Sequence, residues 1–281
     1  MNMTVYEIVT DRIIKQMEKG IIPWHKPWHG GMAKFNRVSK KGYSVLNQLL
    51  LPFDGEYATL KQWNELGGKV KAGEKGNIVT YWNFINKTEN QEDGSEKVKS
   101  FPILRYYTVF HISQVEGVEP LENINFANME VESAEDVKNT YFERESCRLF
   151  VEKSDRAYYS PSFDEVHVPE LNQFENSDEF YSTLFHEMTH STGAAIRLDR
   201  LSSTAFFGNE DYSKEELVAE IGSAILSSVA GLNTEKTFNN SVAYLQSWLR
   251  VLKNDPRMIV SAASKAEKAV DYILYGIKEA A

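Results

Sequence analysis

The segment NSDEFYSTLFHEMTHSTG, residues 176–193, constrains this chain more than any other. Asn176 with Glu179 three residues on resembles a capping box, and Gly193 supplies a stop, so the spacing predicts a helix beginning near Ser177. Tyr181, Leu184, Phe185 and Met188 recur at i, i+3, i+4 and i+7, which defines a face that must be buried. Thr183, His186, Glu187 and His190 follow the same spacing on the adjacent face. His186 and His190 stand one turn apart, so both imidazoles can point at one ion. Glu187 lies beside them, placed to take a proton from a water held there. This is the H-E-x-x-H pattern, two zinc ligands and a general base.

A catalytic zinc takes a third protein ligand and keeps an open position. The segment DYSKEELVAEIGSAILSS, residues 211–228, offers candidates on a second helix. Glu216 and Glu220 are four apart and share a face, whereas Glu215 is expected to point elsewhere. Spacing leaves two arrangements open. Either Glu216 is a ligand, or Ser213 and Glu216 form a capping box and Glu220 is the ligand. Arg197 and Arg200 are expected to pair with the acidic helices.

A length of 281 residues suggests about two domains. The chain is 42% hydrophobic, enough for a sizeable core, and no apolar run approaches a membrane span. The N-terminus lacks the order of a secretory signal, and the single cysteine, Cys147, excludes an internal disulfide or a cysteine-rich zinc site. A cytoplasmic protein without membrane contact is expected. Met1–Ile112 holds 16 basic against 11 acidic residues, a net +5, and Ser113–Ala281 holds 15 against 29, a net −14. Such asymmetry hints at a basic, nucleic-acid-facing part joined to an acidic one.

The fold class read from the pattern is α+β: a small α+β domain over residues 1–115, a linker over 116–132, and a mainly helical domain with a small sheet over 133–281. The first helix carries Val5, Ile8, Ile13, Ile14 and Met17. Helices follow near Ser44–Leu51 and from Thr59, then strands over 77–86 and 99–112 around a polar loop. In the second half a helix spans roughly Ala134–Arg148. Strands lie near Leu149–Glu152, Ala157–Ser160 and Glu165–Val168. Helices start near Ser177, Ser213 and Asn240, and a last one covers roughly Ser261–Lys278.

In IIPWHKPWHGG, residues 21–31, His25 and His29 share the ligand spacing, but Pro27 bars the helix that would align them. The segment reads instead as an aromatic and basic loop. Single-strand binders combine a basic groove with aromatic platforms. The candidate nucleic-acid contacts are Trp24, Lys26, Trp28, Tyr43, Lys61, Trp63, Lys69, Lys71, Lys75 and Trp82. The glycine-flanked run GGKVKAGEKG, residues 67–76, could bring backbone amides close to phosphates.

The stretches TLFHEMTHSTGAAIRLDR, YSKEELVAEIGSAIL and AYLQSWLRVLKND resemble the zincin-like metallopeptidase domain of ArdC-type antirestriction proteins. GIIPWHKPW, YATLKQWNELGGKVKAGEKGNIVTYW and YYTVFHISQ resemble that family's N-terminal single-stranded-DNA-binding domain. The likeness covers nearly the whole chain in order. It implies a protein of a mobile element that shields incoming DNA from host restriction, with Zn2+ as cofactor. Its partners would be single-stranded DNA, with double-stranded DNA as a further option, and an unidentified protein or peptide substrate. By similarity to gluzincin peptidases, His186, His190 and Glu216 would hold the metal. Glu187 would be the base, and Glu220 would orient a ligand histidine. Zincins also place an edge strand along the cleft, and AYYSPSFDEVHVPE, residues 157–170, is the candidate. Asp164 and His167 would sit near its rim, with His167 packed or solvated rather than a fourth ligand. Two other readings remain: a DNA-shielding protein with structural zinc and no proteolysis, and a DNA-bound protease acting on DNA-attached proteins.

Overall fold

A computed structural model describes residues 3–19, 22–25, 34–90, 96–121, 133–201, 210–232 and 248–276. By packing, the chain divides into Met1–Val9 with Lys34–Glu122, and Thr10–Ala33 with Asn123–Ala281. One boundary of this division falls inside the first helix, α1 (Val5–Met17), and another, after Glu122, falls within residues 116–132. The expected linker lies mostly outside the described residues, as does the helix start near Asn240.

In the first unit the two aromatic, β-branched runs form a long hairpin. Strand β4 (Asn77–Asn90) pairs antiparallel with β5 (Glu96–His111), in register from Asn77 opposite Val109 to Asn90 opposite Glu96. Strand β2 (Gly55–Ala58) adds antiparallel to β5, and β1 (Lys34–Asn36) lies parallel to β2, giving the order β1-β2-β5-β4. The hairpin base carries the core: Val79 and Val109 are fully buried with Leu51, Tyr57 and Tyr43. Helix α2 (Val45–Leu50) covers the outer edge of β4 by mimicking a strand. The Asn47 side chain donates to the Thr80 carbonyl at 2.8 Å and accepts from the Thr80 N–H at 2.7 Å.

Helix α3 (Leu60–Glu65) starts at Thr59, whose hydroxyl and Gln62 cap each other reciprocally. Trp63 points inward from it. Its indole N–H donates to the Phe110 carbonyl at 2.9 Å, and its ring packs with Ala58 and Val115. The basic run 67–76 continues through β3 (Lys69–Val70), paired with β6 (Val115–Glu116). Its last glycine serves packing, since a Cβ on Gly76 would overlap the Thr108 side chain.

In the second unit, β7 (Arg148–Glu152) runs parallel to β9 (Glu165–Pro169), and β8 (Tyr158–Ser160) pairs antiparallel on the other side. Helix α4 (Ala134–Arg144) precedes them and stops earlier than expected, at a Glu145 cap. Helix α5 (Ser177–Ser191) packs beside this sheet and against α6 (Glu210–Val229). The last helix, α7 (Met258–Tyr275), packs on α6 and α4, burying Ala262, Ala263, Ala266 and Ala269. Trp24, in a single 3-10 turn (Pro23–His25), is 1% exposed. Its ring meets that of Trp248 edge-on, centroids 5.4 Å apart, in the core of this second unit.

Candidate functional site

Helix α5 is capped by the Asn176 side chain, which accepts from the Glu179 N–H at 3.0 Å, and Leu184, Phe185 and Met188 are fully buried. The helix ends at Ser191, before Gly193. Burying that face leaves His186 and His190 on the side turned to α6. The two helices approach closely because α6 presents Gly222 to Thr189. A Cβ on Gly222 would lie 2.7 Å from Thr189 Cγ2. Ser223 of α6 also donates to the Ser182 carbonyl at 2.7 Å.

Across this seam Glu216 stands 3.6 Å from His186 Nε2 and 3.4 Å from His190 Nε2, and the two Nε2 atoms are 3.1 Å apart. One ligand atom from each of His186, His190 and Glu216 falls within 4.8 Å of the others. Two imidazoles and a carboxylate so placed form a donor set that fits a divalent ion. Ser213 lies inside α6, because that helix begins at Glu210, so Glu216 is no residue of a capping box.

The other ring nitrogens are also served. Glu220 lies 3.7 Å from His186 Nδ1 and Glu215 lies 3.6 Å from His190 Nδ1. A carboxylate at Nδ1 holds the proton there and leaves Nε2 as the ligand atom. Glu215, expected to point away, is thus part of the site. It is tied down by Arg200, whose guanidinium donates to it at 2.8 Å and also to the Thr189 carbonyl at 2.8 Å. A helical wheel separates it from Glu216 and Glu220, yet each ring nitrogen of His190 meets an acid, Glu215 at Nδ1 and Glu216 at Nε2. The usable signal was RLDR at residues 197–200, a cation in need of a buried acid.

Glu187 is 7% exposed, and its charge favours the protonated forms of both histidines. Burial lowers His190, but Glu215 and Glu216 outweigh it and lift the imidazole to about 10. Burial likewise opposes ionisation of Glu216, yet the two histidines hold its carboxyl well below the usual carboxylate range. Four acids converging on two imidazoles make the pocket favour positive charge at its centre.

His167 stays apart from this cluster. It sits between Phe150 and Tyr158 in a stack with centroids 4.8 and 4.6 Å away, and its nitrogens face Glu152 at 3.0 Å and Glu165 at 3.3 Å. Asp164 is bound by Arg197 and by the Tyr159 hydroxyl at 2.8 Å, and Arg197 also lies 3.9 Å from Glu145 at the end of α4, so it pairs with a loop acid as well as with the end of a helix.

Residues 138–265 match the family described as zincin-like metallopeptidase, and residues 3–110 match the N-terminal domain of anti-restriction factor ArdC. A metal-free crystal structure of the antirestriction ArdC protein from plasmid R388 is similar with a TM-score of 0.76. It is 35% identical, and the match covers 96% of this chain and 97% of that one. The Mn(II)-bound structure of the same protein gives 0.76 at 33% identity. The uncharacterized protein y4eC of Sinorhizobium fredii is 33% identical over 96% of this chain and 91% of its own length. The chain belongs to the ArdC antirestriction family. Two Escherichia coli proteins named DNA primase TraC are 35% and 34% identical over 96% of this chain, which spans 27% and 20% of their length.

In this ArdC-family chain the residues expected to contact nucleic acid separate by burial. Trp24 and Trp63 are 1% and 0% exposed, Tyr43 is 8% exposed, and all three are core residues, because large aromatics gain most from burial. Their assignment as base-stacking residues is corrected accordingly. Lys26 and Trp28 lie outside the described residues. Trp82 is exposed, and so are Lys61, Lys69, Lys71 and Lys75, although Lys71 reaches back to the Ser113 carbonyl at 2.9 Å. Sequence reasoning overlooked Tyr81, Phe84, Tyr106 and Tyr107, all exposed on the hairpin. Trp82, Phe84 and Tyr106 share one face; Tyr81, Tyr107 and the exposed Arg105 share the other. No helix among the described residues is long and apolar enough to cross a membrane.

Proposed function

We propose that this chain is an antirestriction protein of a mobile element whose N-terminal unit binds single-stranded DNA and whose C-terminal unit is a zinc-dependent peptidase. The single observation that carries the peptidase half is Glu187, a buried acid beside His186, His190 and Glu216. A structural metal needs ligands and groups that orient them, but no further acid.

His186, His190 and Glu216 would hold the ion, with Glu215 and Glu220 keeping each Nε2 unprotonated. When bound there, zinc would supply Lewis acidity toward the carbonyl oxygen and make water a better nucleophile at neutral pH. The Glu187 carboxylate accepts the proton of the attacking water as its oxygen adds to the peptide carbonyl carbon. It then delivers that proton to the leaving nitrogen as the C–N bond breaks.

The DNA half is supported by the outer hairpin and the basic run at residues 67–76. Aromatic rings exposed on a strand pair are costly to leave in water without a partner, and base stacking is worth about 1–3 kcal/mol per base. The exposed lysines of the basic run, Lys69, Lys71 and Lys75, would supply phosphate contacts.

Glu187→Gln tests the reading. The variant should keep its metal content and its affinity for an oligonucleotide while losing peptide-bond cleavage by a factor of about 10²–10⁴. Undiminished protection of DNA from restriction in that variant would show that shielding, not proteolysis, is the protective act. Failure of the wild-type protein to bind single strands in a salt-sensitive way would remove the DNA half.

A further inference from the structure

The hairpin of β4 and β5 presents aromatic rings on two opposite faces. Its base is held by neighbours, since β2 pairs with Phe110 and His111, and Asn47 bridges to Thr80. From Thr80 the ladder runs on to Asn90 opposite Glu96, a length of about 30 Å. Alternation along the strands sorts the side chains there. Trp82, Phe84 and Tyr106 are exposed on one face. Tyr81, Ile85, Phe101, Ile103 and Tyr107 are exposed on the other. Rings and aliphatic groups exposed on both sides of one strand pair mark an interaction surface, and here there are two of them.

Charge decides what kind of partner fits. Residues 77–86 and 100–110 include one charged side chain, Arg105, and no acid. A polyanion can therefore lie along either face of this stretch without meeting like charge. Arg105 stands directly across from Tyr81, whose ring lies 5.7 Å from that of Tyr107. The second face thus offers two rings for bases and a guanidinium for a phosphate, the combination a single strand requires. The backbone of the strand pair separates the faces, so bases stacked on one cannot touch the rings of the other. Two strands are needed to cover both.

We propose that this hairpin is a wedge for a junction between duplex and single-stranded nucleic acid. One unpaired strand stacks on Trp82, Phe84 and Tyr106, and its complement stacks on Tyr81 and Tyr107 beside Arg105. The inference rests on the DNA half of the proposed function and adds the substrate class, a fork instead of a lone strand.

The test uses the full chain and three probes: a fork with two unpaired oligothymidylate arms, the same duplex with one arm, and a single oligothymidylate. Joining the strands makes the second contact intramolecular, so the wild type should bind the fork about 10²-fold tighter than the one-armed duplex. Tyr81→Ala with Arg105→Gln, both at exposed positions, should cut that advantage about tenfold or more. The one-armed duplex should still bind this variant through Trp82 and Tyr106, which a loss of folding would not allow. If the wild type binds single strands but gains nothing from the second arm, the wedge is overturned and the DNA half of the function stands. The same holds if the Tyr81 variant keeps the whole gain. If that variant instead turns a dimer into a monomer in sedimentation while fork binding is unchanged, the face joins two copies of the chain, and the wedge is again overturned. A wild type that binds no single strand refutes the DNA half of the function and the wedge with it.

Discussion

The Glu215 carboxylate lies 3.6 Å from His190 Nδ1 and is itself gripped by Arg200 at 2.8 Å. The histidine is therefore oriented by a chain of charges that begins on the loop after α5. Replacing Glu215 by Gln keeps the shape but removes the charge that favours Nδ1–H. Metal affinity, measured by competition with a chelator, should fall by about 10–100-fold, and Glu220→Gln should act similarly through His186. Unchanged affinity in both variants would show that these acids do not orient the ligands.

Helix separation sets the same geometry. Gly222→Ala should raise the intrinsic helix preference of α6 by about 1 kcal/mol. Yet its Cβ would meet Thr189, which is wholly buried with its hydroxyl donating to the Phe185 carbonyl at 2.7 Å. Overpacking costs about 1–3 kcal/mol, so the net effect is expected to be destabilising, with weaker metal binding as Glu216 is pushed back. Thr189→Ala in the same chain should restore part of both losses. A Gly222→Ala protein more stable than wild type would show that the seam is loose.

Burial divides the tryptophans into two experimental classes. Trp63→Ala should destabilise the protein by about 3–5 kcal/mol, because it empties a packed site and orphans the Phe110 carbonyl. Trp82→Ala with Tyr106→Ala should leave the melting temperature nearly unchanged and weaken oligonucleotide binding by about 2–6 kcal/mol if each ring stacks on a base. Full affinity in that double variant would move the DNA surface off this hairpin face.

Acid stability should carry the mark of Asp164. Burial opposes its ionisation, but Arg197 and the Tyr159 hydroxyl outweigh burial, so its folded pKa lies below the usual value near 3.9. A carboxyl lowered by folding contributes stability that is fully present above the unfolded pKa. That stability is lost as pH falls through the folded one. Asp164→Asn tolerates the backbone, which is left-handed here with φ of 53°. It should therefore lower stability at neutral pH and flatten its dependence below about pH 4. An unchanged acid limb in urea titrations would assign that dependence to other carboxyls.

Much of this was readable in advance because it is local. The capped helix at Ser177, the paired histidines, Glu187 and the two hairpin strands all follow from spacing and side-chain type. Those signals act over one or two turns, or between neighbouring strands.

What only the tertiary structure decided was where side chains at long sequence distance meet. Glu216 comes within reach of His186 and His190 because α6 begins at Glu210 and Gly222 lets it close on Thr189. Glu215 is recruited because Arg200 and His190 converge on it from another element. Trp24, Trp63 and Tyr43 carry the same side-chain types as Trp82 and Tyr106, and nothing local separates a ring that stacks in the core from one that faces water. That distinction depends on which surfaces the folded chain covers. The sequence thus determined the chemistry available, and packing determined which residues are free to perform it.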